Sequence, residues 1–222
     1  LFAARAKLSM PEYFAFSQTA YFDVDSILFK PIDDLFVNEE YVTHVHKVYK
    51  MGDDMPQMYW CKAPVIMEHY GLDTTYRFPG INSSYALLKK DKAGYKVYQK
   101  ALENLLVNPI PLSKHYRHWG MGTGQQPDEL YLNIACAQLK TMPINKQPLY
   151  FRSSMQRESQ SIGTIQQDFY GISLFGGDNY SHVSLKRLYN HFARPCFEKY
   201  FPHSQFQKIE YLLHHKLADQ KH

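Results

Sequence analysis

The spacing of apolar positions changes along the chain, predicting helices in some stretches and strands in others. Between residues 92 and 107, apolar residues recur every three or four positions, which is typical of an amphipathic helix. Residues 41–49 place valines among polar positions, and residues 81–88 follow a Pro-Gly turn, so both stretches predict strands. Because strands alternate with helices, we expect an α/β fold with a mostly parallel, mixed sheet flanked by helices.

Further elements follow from turn residues and from charges at helix ends. Residues 128–139 begin with two acidic residues, which favours the first turn of a helix. Asp33 or Asp34 is expected to cap a short helix that carries Leu35 and Phe36. Apolar patterns also predict the end of a helix at residues 1–10, strands at residues 21–25 and 170–175, and helices at residues 185–200 and 205–217.

Composition and charge restrict the class of protein. The chain has 222 residues, of which 45% are hydrophobic and 21% charged, as in an ordinary globular domain. No apolar run approaches the roughly 20 residues that a membrane-spanning helix needs, so we expect no membrane insertion. The net charge of +4 is too small to indicate nucleic acid but suits an anionic small ligand. Three widely spaced cysteines form no C-x-x-C pair, which favours a reducing, cytoplasmic location.

Two carboxylates, Asp23 and Asp25, follow the apolar Tyr21-Phe22 pair at the expected end of a strand. Residues two apart on a strand face the same way, and ligands of α/β sheets bind beyond the carboxyl ends of strands. Carboxylate oxygens suit Mg²⁺ or Mn²⁺, which bridge to phosphate oxygens. The pair therefore predicts either a metal–diphosphate site or two solvated acids in a turn.

The sequence around this pair, DVDSILFKPIDDLF at residues 23–36, resembles the D-x-D segment of nucleotide-sugar glycosyltransferases with the GT-A fold, such as glycogenin-like enzymes and their bacterial and phage relatives. Three further stretches occur in the family's order. Residues 78–84 resemble a turn before a strand, although Ser84 replaces the usual glycine. Residues 126–133 resemble a helix start beside the donor sugar, and residues 176–182 lie where the family has a late histidine. The resemblance covers roughly residues 5–190.

The resemblance implies a site for Mn²⁺ or Mg²⁺. Asp25 would bind the ion directly, and Asp23 would bind it through water or contact the ribose of the donor. His182 would be the third protein ligand, since imidazole is acceptable to Mn²⁺. Other histidines are alternatives for that place: His115, His118 and His203.

The resemblance also implies a donor site. Arg5 and Lys7 would reach the donor diphosphate, and Asn82 and Ser83 would line the sugar pocket. A solvated helix face and ordinary turn chemistry are the structural alternatives for these four residues. One acid at the start of the 128–139 helix would bond the donor sugar or act as a base on the acceptor hydroxyl, while the other compensates the helix dipole. These two catalytic candidates are Asp128 and Glu129.

The activity that the resemblance implies is a metal-dependent glycosyltransferase, with a UDP-sugar as donor and a glycan or other hydroxyl compound as acceptor. Residues 1–190 would be the C-terminal two-thirds of a GT-A-like domain, and residues 191–222 a helical extension. Only 22 residues precede the D-x-D pair, so we expect the first strands of that fold to be missing. A sugar-nucleotide nucleotidyltransferase and a non-catalytic carbohydrate-binding remnant are the alternatives.

Overall fold

The structure, a computed structural model, describes residues 2–23, 26–36, 40–50, 61, 63–111, 127–146, 148–151, 162–173, 189–200, 202 and 207. The chain divides into two units. Residues 1–22 and 35–147 form the first unit, and residues 23–34 and 148–222 form the second. The second unit includes residues on both sides of position 190, where the sequence predicts the start of a C-terminal extension; that boundary remains a prediction.

The elements follow one another in a mixed order. The helices are α1 (Phe2–Leu8), α2 (Ala63–Tyr70), α3 (Ala93–Val107), α4 (Asp128–Gln138), α5 (Ile162–Asp168) and α6 (Arg194–Tyr200). The strands are β1 (Gln18–Phe22), β2 (Ser26–Leu28), β3 (Tyr41–Val45), β4 (Tyr49–Lys50), β5 (Arg77–Phe78), β6 (Ile81–Lys89), β7 (Ile144–Asn145), β8 (Leu149–Phe151) and β9 (Gly171–Ser173). Short 3-10 helices cover Met10–Tyr13 and Asp33–Leu35, and a π-helical turn covers Tyr189–Ala193.

A four-stranded sheet in the order β1-β6-β3-β7 forms the centre of the first unit. Strand β6 pairs antiparallel with both β1 and β3, while β3 pairs parallel with β7. All five residues of β3 are buried, as are seven of the nine in β6. The two central strands are therefore covered on both faces, which explains why their sequences do not alternate cleanly.

Two helices of the first unit bury apolar surface against each other. On α3, Val97, Ala101 and Leu105 are buried at helical spacing, as the sequence predicts, and Tyr98 is buried with them. Every residue of α4 from 130 to 137 is buried, so this helix is enclosed on all sides. Helix α4 contacts α1, α3, β5 and β6, and this fixes the position of its first turn relative to the sheet.

The second unit has a small core of its own. Strand β9 lies between β2, to which it is antiparallel, and β8, to which it is parallel. Ile165, Ile172 and Phe192 are buried together, and Phe29 stacks on Phe192 with ring centroids 4.8 Å apart. Among the described residues, no helix has the length and apolar character that crossing a bilayer requires.

The α/β class and the mixed sheet agree with the expectation from sequence, but a mostly parallel sheet is wrong for the described strands. Only one of the three pairings in the four-stranded sheet is parallel. Alternation of strands and helices along the chain does not fix strand direction, which depends on which strands pair. The predicted strand at residues 41–49 is divided into β3 and β4, and the predicted 205–217 helix lies almost entirely outside the described residues.

Candidate functional site

A bulge in the central strand β6 is the foundation of the candidate site. Thr43 of β3 lies opposite Ala86, and the next residue, His44, lies opposite Asn82. One step along β3 therefore corresponds to four steps along β6, which leaves residues 83–85 as extra chain. Bulges redirect side chains and are frequent beside active sites. This bulge contains Ser83, one of the residues that the resemblance assigns to the sugar pocket.

Lys7 of helix α1 joins the bulge to the first turn of α4. Its Nζ donates a hydrogen bond of 3.0 Å to Ser83 Oγ and lies 3.5 Å from Asp128 Oδ2. The Lys7 and Asp128 side chains are only 15% and 20% exposed, so water screens this ion pair less than a surface pair. Asp128 Oδ2 is buried and makes no hydrogen bond to any described residue, which leaves the lysine as its compensating charge.

Glu129 connects the same turn of α4 to the backbone of the bulge. Its Oε1 accepts a hydrogen bond of 3.2 Å from the Ser83 N–H. Asn133, one helical turn later and fully buried, donates from Nδ2 to the Glu129 carbonyl and accepts from the Ile81 N–H at Oδ1. Two hydrogen bonds, from Ser83 to Glu129 and from Ile81 to Asn133, therefore join the N-terminal half of α4 to the start of β6. Asp128 and Glu129 both lie in the first turn of α4, where the helix dipole favours negative charge.

An aromatic ring also lies beside the Lys7 ammonium group. Lys7 Nζ lies 5.4 Å from the centroid of the Tyr21 ring, within the range of a cation–π interaction. Tyr21 belongs to β1, whose register places it opposite Ala86 on β6. Four segments of the first unit therefore supply a group of side chains linked through Lys7 and Ser83, which we call the Lys7 cluster. Its members are Lys7, Tyr21, Ser83, Asp128 and Glu129.

The structure brings together four of the residues that the sequence nominates, namely Lys7, Ser83, Asp128 and Glu129. Asn82 is adjacent in β6, and its Oδ1 accepts a hydrogen bond from the Ser84 N–H across the bulge.

Other nominated residues are placed differently. Arg5 is exposed, and because residues two apart on a helix point in different directions, it does not share the face of Lys7. Asp23 belongs to the second unit, where its carbonyl accepts a hydrogen bond from the Ser26 N–H. Asp25 and His182 lie outside the described residues, as do the alternative ligands His115, His118 and His203.

The proposed metal site is represented in the described part of the chain by Asp23 alone. Carboxylate oxygens of an aspartate pair suit Mg²⁺ and Mn²⁺, so the donor chemistry of Asp23 and Asp25 fits such an ion. Within the ranges that the structure describes, His, Cys, Asp and Glu side chains form no group of three able to hold a metal. The metal therefore stays a prediction from sequence.

A buried histidine lies beside the bulge. His44 is 7% exposed and pairs across the sheet with Asn82. Its ring centroid is 4.4 Å from that of His46. Burial, and secondarily the neighbouring imidazole of His46, lowers the pKa of His44 to about 4. His44 is therefore neutral at physiological pH and adds no charge near the site.

Sequence reasoning did not assign roles to Thr43, Asn133 or Tyr21. Threonine in a strand and asparagine in a helix are ordinary residues, and nothing in their spacing marks them. Asn133 belongs to the 126–133 motif, and a buried asparagine needs hydrogen-bond partners, so its place in that motif could have indicated a role.

The comparison with known proteins assigns no role to any residue, because no family model, curated protein or solved structure matches the chain.

Proposed function

We propose that the chain is a metal-dependent glycosyltransferase that moves a sugar from a nucleoside-diphosphate donor, with UDP-sugars as the first candidates, to an acceptor hydroxyl. One observation carries the proposal: Lys7, Ser83, Asp128 and Glu129 come from three separate segments and meet in one cluster. The resemblance to GT-A enzymes nominates these four residues for the donor and acceptor chemistry. If these short motifs matched the family by chance, their residues would not be expected to lie together in the fold. Their contact in one cluster therefore supports the proposal.

The chemical groups of the Lys7 cluster suit a sugar attached to a diphosphate. An ammonium group donates hydrogen bonds, carboxylates accept them and a serine hydroxyl does both, which matches a polyhydroxylated ligand. The charge of Lys7 would stabilise the negative charge that develops on the departing diphosphate. Holding the acceptor hydroxyl against the anomeric carbon would contribute further to the rate.

The two acids of the cluster are not equivalent. Glu129 Oε1 already accepts the Ser83 N–H, so its carboxylate has a structural partner. Among the described residues, Asp128 Oδ2 accepts no hydrogen bond and faces the Lys7 ammonium at 3.5 Å. We therefore favour Asp128 over Glu129 as the carboxylate that bonds the donor sugar or the acceptor hydroxyl. Asp23, Asp25 and His182 would hold the Mn²⁺ or Mg²⁺ ion, which when bound would neutralise charge on the diphosphate.

The first experiment is a calorimetric titration of UDP into the full chain with and without Mn²⁺. We expect metal-dependent UDP binding that is lost in Asp25→Ala. Lys7→Met should weaken binding about tenfold or more, the effect of losing one charge-assisted hydrogen bond. Lys100→Met is the matched control, because Lys100 lies on α3, away from the Lys7 cluster, and pairs with Glu103 one helical turn later.

Turnover is then measured as UDP released from a panel of UDP-sugars with and without candidate acceptors. Asp128→Asn should reduce turnover far more than it reduces UDP affinity, because the carboxylate is proposed to contact the sugar rather than the nucleotide. A folded wild-type chain that binds no UDP, GDP or corresponding sugar nucleotide at millimolar concentration, with Mn²⁺ present, would refute the proposal.

A further inference from the structure

The bulge in β6 is held by a residue that lies outside the Lys7 cluster. Thr43 of β3 is 1% exposed, and its hydroxyl donates a hydrogen bond of 2.7 Å to the Tyr85 carbonyl. The same oxygen lies 3.3 Å from the Asn82 carbonyl. The two carbonyls are at opposite ends of the extra chain formed by residues 83–85. A single side chain therefore joins both ends of the bulge.

Thr43 is itself fixed from the other side. Its carbonyl accepts a hydrogen bond from the Lys146 N–H, directly after the short parallel strand β7. Two residues further along β3, the Val45 N–H donates a hydrogen bond to Oδ1 of Asn145 on β7. The hydroxyl of Thr43 thus projects from a strand that is bonded on both edges, so it has little freedom to follow a change in the bulge.

The bulge determines where Ser83 presents its two polar groups. In the observed conformation the Ser83 N–H reaches Glu129, and the Ser83 hydroxyl reaches Lys7. A regular strand would pair residues 83–85 with β3 and would turn these groups elsewhere, since a shift of one residue moves a side chain to the opposite face. The Lys7 cluster therefore forms only when residues 83–85 keep the bulged conformation.

We propose that Thr43 is a positioning residue, whose hydroxyl holds the β6 bulge so that Ser83 contacts both Lys7 and Glu129. Its effect on sugar transfer rests on the proposed function, whereas its effect on the bulge does not. The conservative variant Thr43→Ser keeps the hydroxyl, and Thr43→Val keeps the shape without it. Thr19→Val is the matched control, because Thr19 is on the same sheet and its buried hydroxyl makes no hydrogen bond to any described residue.

The first measurement is residue-resolved amide hydrogen exchange on the full-length chain without ligand. Thr43→Val should speed exchange of the Ser83 and Ser84 amides at least tenfold, while α3 keeps its wild-type exchange rates. Thr43→Ser and Thr19→Val should leave exchange at Ser83 within about threefold of wild type. If Thr43→Val fails to fold, Thr43→Cys replaces it; its weak S–H donor should give exchange clearly faster than in Thr43→Ser.

The second measurement is the kcat/KM for the nucleotide sugar that the wild type uses. We expect a loss of at least fivefold in Thr43→Val, recovered in Thr43→Ser and absent in Thr19→Val. Unchanged exchange at Ser83 in a folded Thr43→Val or Thr43→Cys chain would overturn the positioning role. Faster exchange at Ser83, in a protein whose wild type binds no sugar nucleotide, would uphold that role and refute the proposed function instead.

Discussion

Lys7 and Ser83 are 76 positions apart in the chain, yet Lys7 Nζ donates a 3.0 Å hydrogen bond to Ser83 Oγ. The contact joins the first helix of the chain to the bulge in the central strand. It depends on β6 lying between β1 and β3, and on α4 packing against both α1 and β6.

The ion pair between Lys7 and Asp128 should contribute to stability beyond the level of a surface pair. Removing either group takes an opposite charge away from a mostly buried side chain, so Lys7→Met and Asp128→Asn should each lower the free energy of unfolding by about 1–3 kcal/mol. The double variant should lose clearly less than the two single losses added together. Urea denaturation measures all three free energies. The Lys100–Glu103 pair, treated in the same way, should show coupling of at most about 0.5 kcal/mol.

Asn133 should be among the most sensitive polar positions in the first unit. Asn133→Ala removes the acceptor of the buried Ile81 N–H and the donor to the Glu129 carbonyl. We expect a loss of about 2–4 kcal/mol, because a buried amide without a partner adds to the cost of the cavity. Asn104→Ala is the control: Asn104 donates to the side chain of the half-buried Gln138, which can turn to water. A smaller loss in Asn133→Ala than in Asn104→Ala would contradict the assigned role.

His44 should make the stability of the protein depend on pH. Its pKa is lowered from 6.5 to about 4 in the folded chain, so below pH 6.5 the unfolded chain binds a proton that the folded chain does not. Stability should therefore fall as the pH drops from about 6.5 to about 4, by at most about 3 kcal/mol from this group. Below about pH 4 the group adds no further loss.

The pH effect is measured by comparing unfolding free energies of wild type and His44→Phe between pH 4 and pH 7. The slope in this window should be smaller in His44→Phe. Parallel pH curves for wild type and His44→Phe would contradict a lowered pKa of His44 in the folded protein.

Gly94 should not tolerate alanine, although alanine is the better helix former. A Cβ atom at this position would lie 2.6 Å from Leu88 Cδ2 and 2.8 Å from Tyr41 Cβ. The first turn of α3 would have to move away from the sheet, and we expect Gly94→Ala to cost about 1–3 kcal/mol in thermal or urea unfolding. At Gly71, an added Cβ has no atom within 4 Å, so Gly71→Ala should cost only the strain of its φ of +64°, about 1 kcal/mol.

Four of the five members of the Lys7 cluster are predicted by the sequence. The motifs nominated Lys7, Ser83, Asp128 and Glu129, and the structure brings these residues together. The resemblance predicts Arg5 as well as Lys7 for the donor site, but Arg5 is exposed and lies on a different side of α1. Both are basic residues of one short helix, and only the packing of α1 against the rest of the first unit separates their positions.

The sequence by itself predicted the helices α1, α3, α4 and α6, the longer strands β3 and β6, and the chemistry of the predicted site residues, but not helices α2 and α5 or the short strands β2, β5, β7 and β8. Helix α3 was expected at residues 92–107 and is observed at Ala93–Val107, because a repeat of apolar residues over four turns is a local property of the chain. Strand directions, the bulge at residues 83–85 and the role of Thr43 were decided only by tertiary structure. Each depends on which distant strands form hydrogen bonds with each other, and a hydroxyl in a strand carries no local sign of the carbonyl that it will meet.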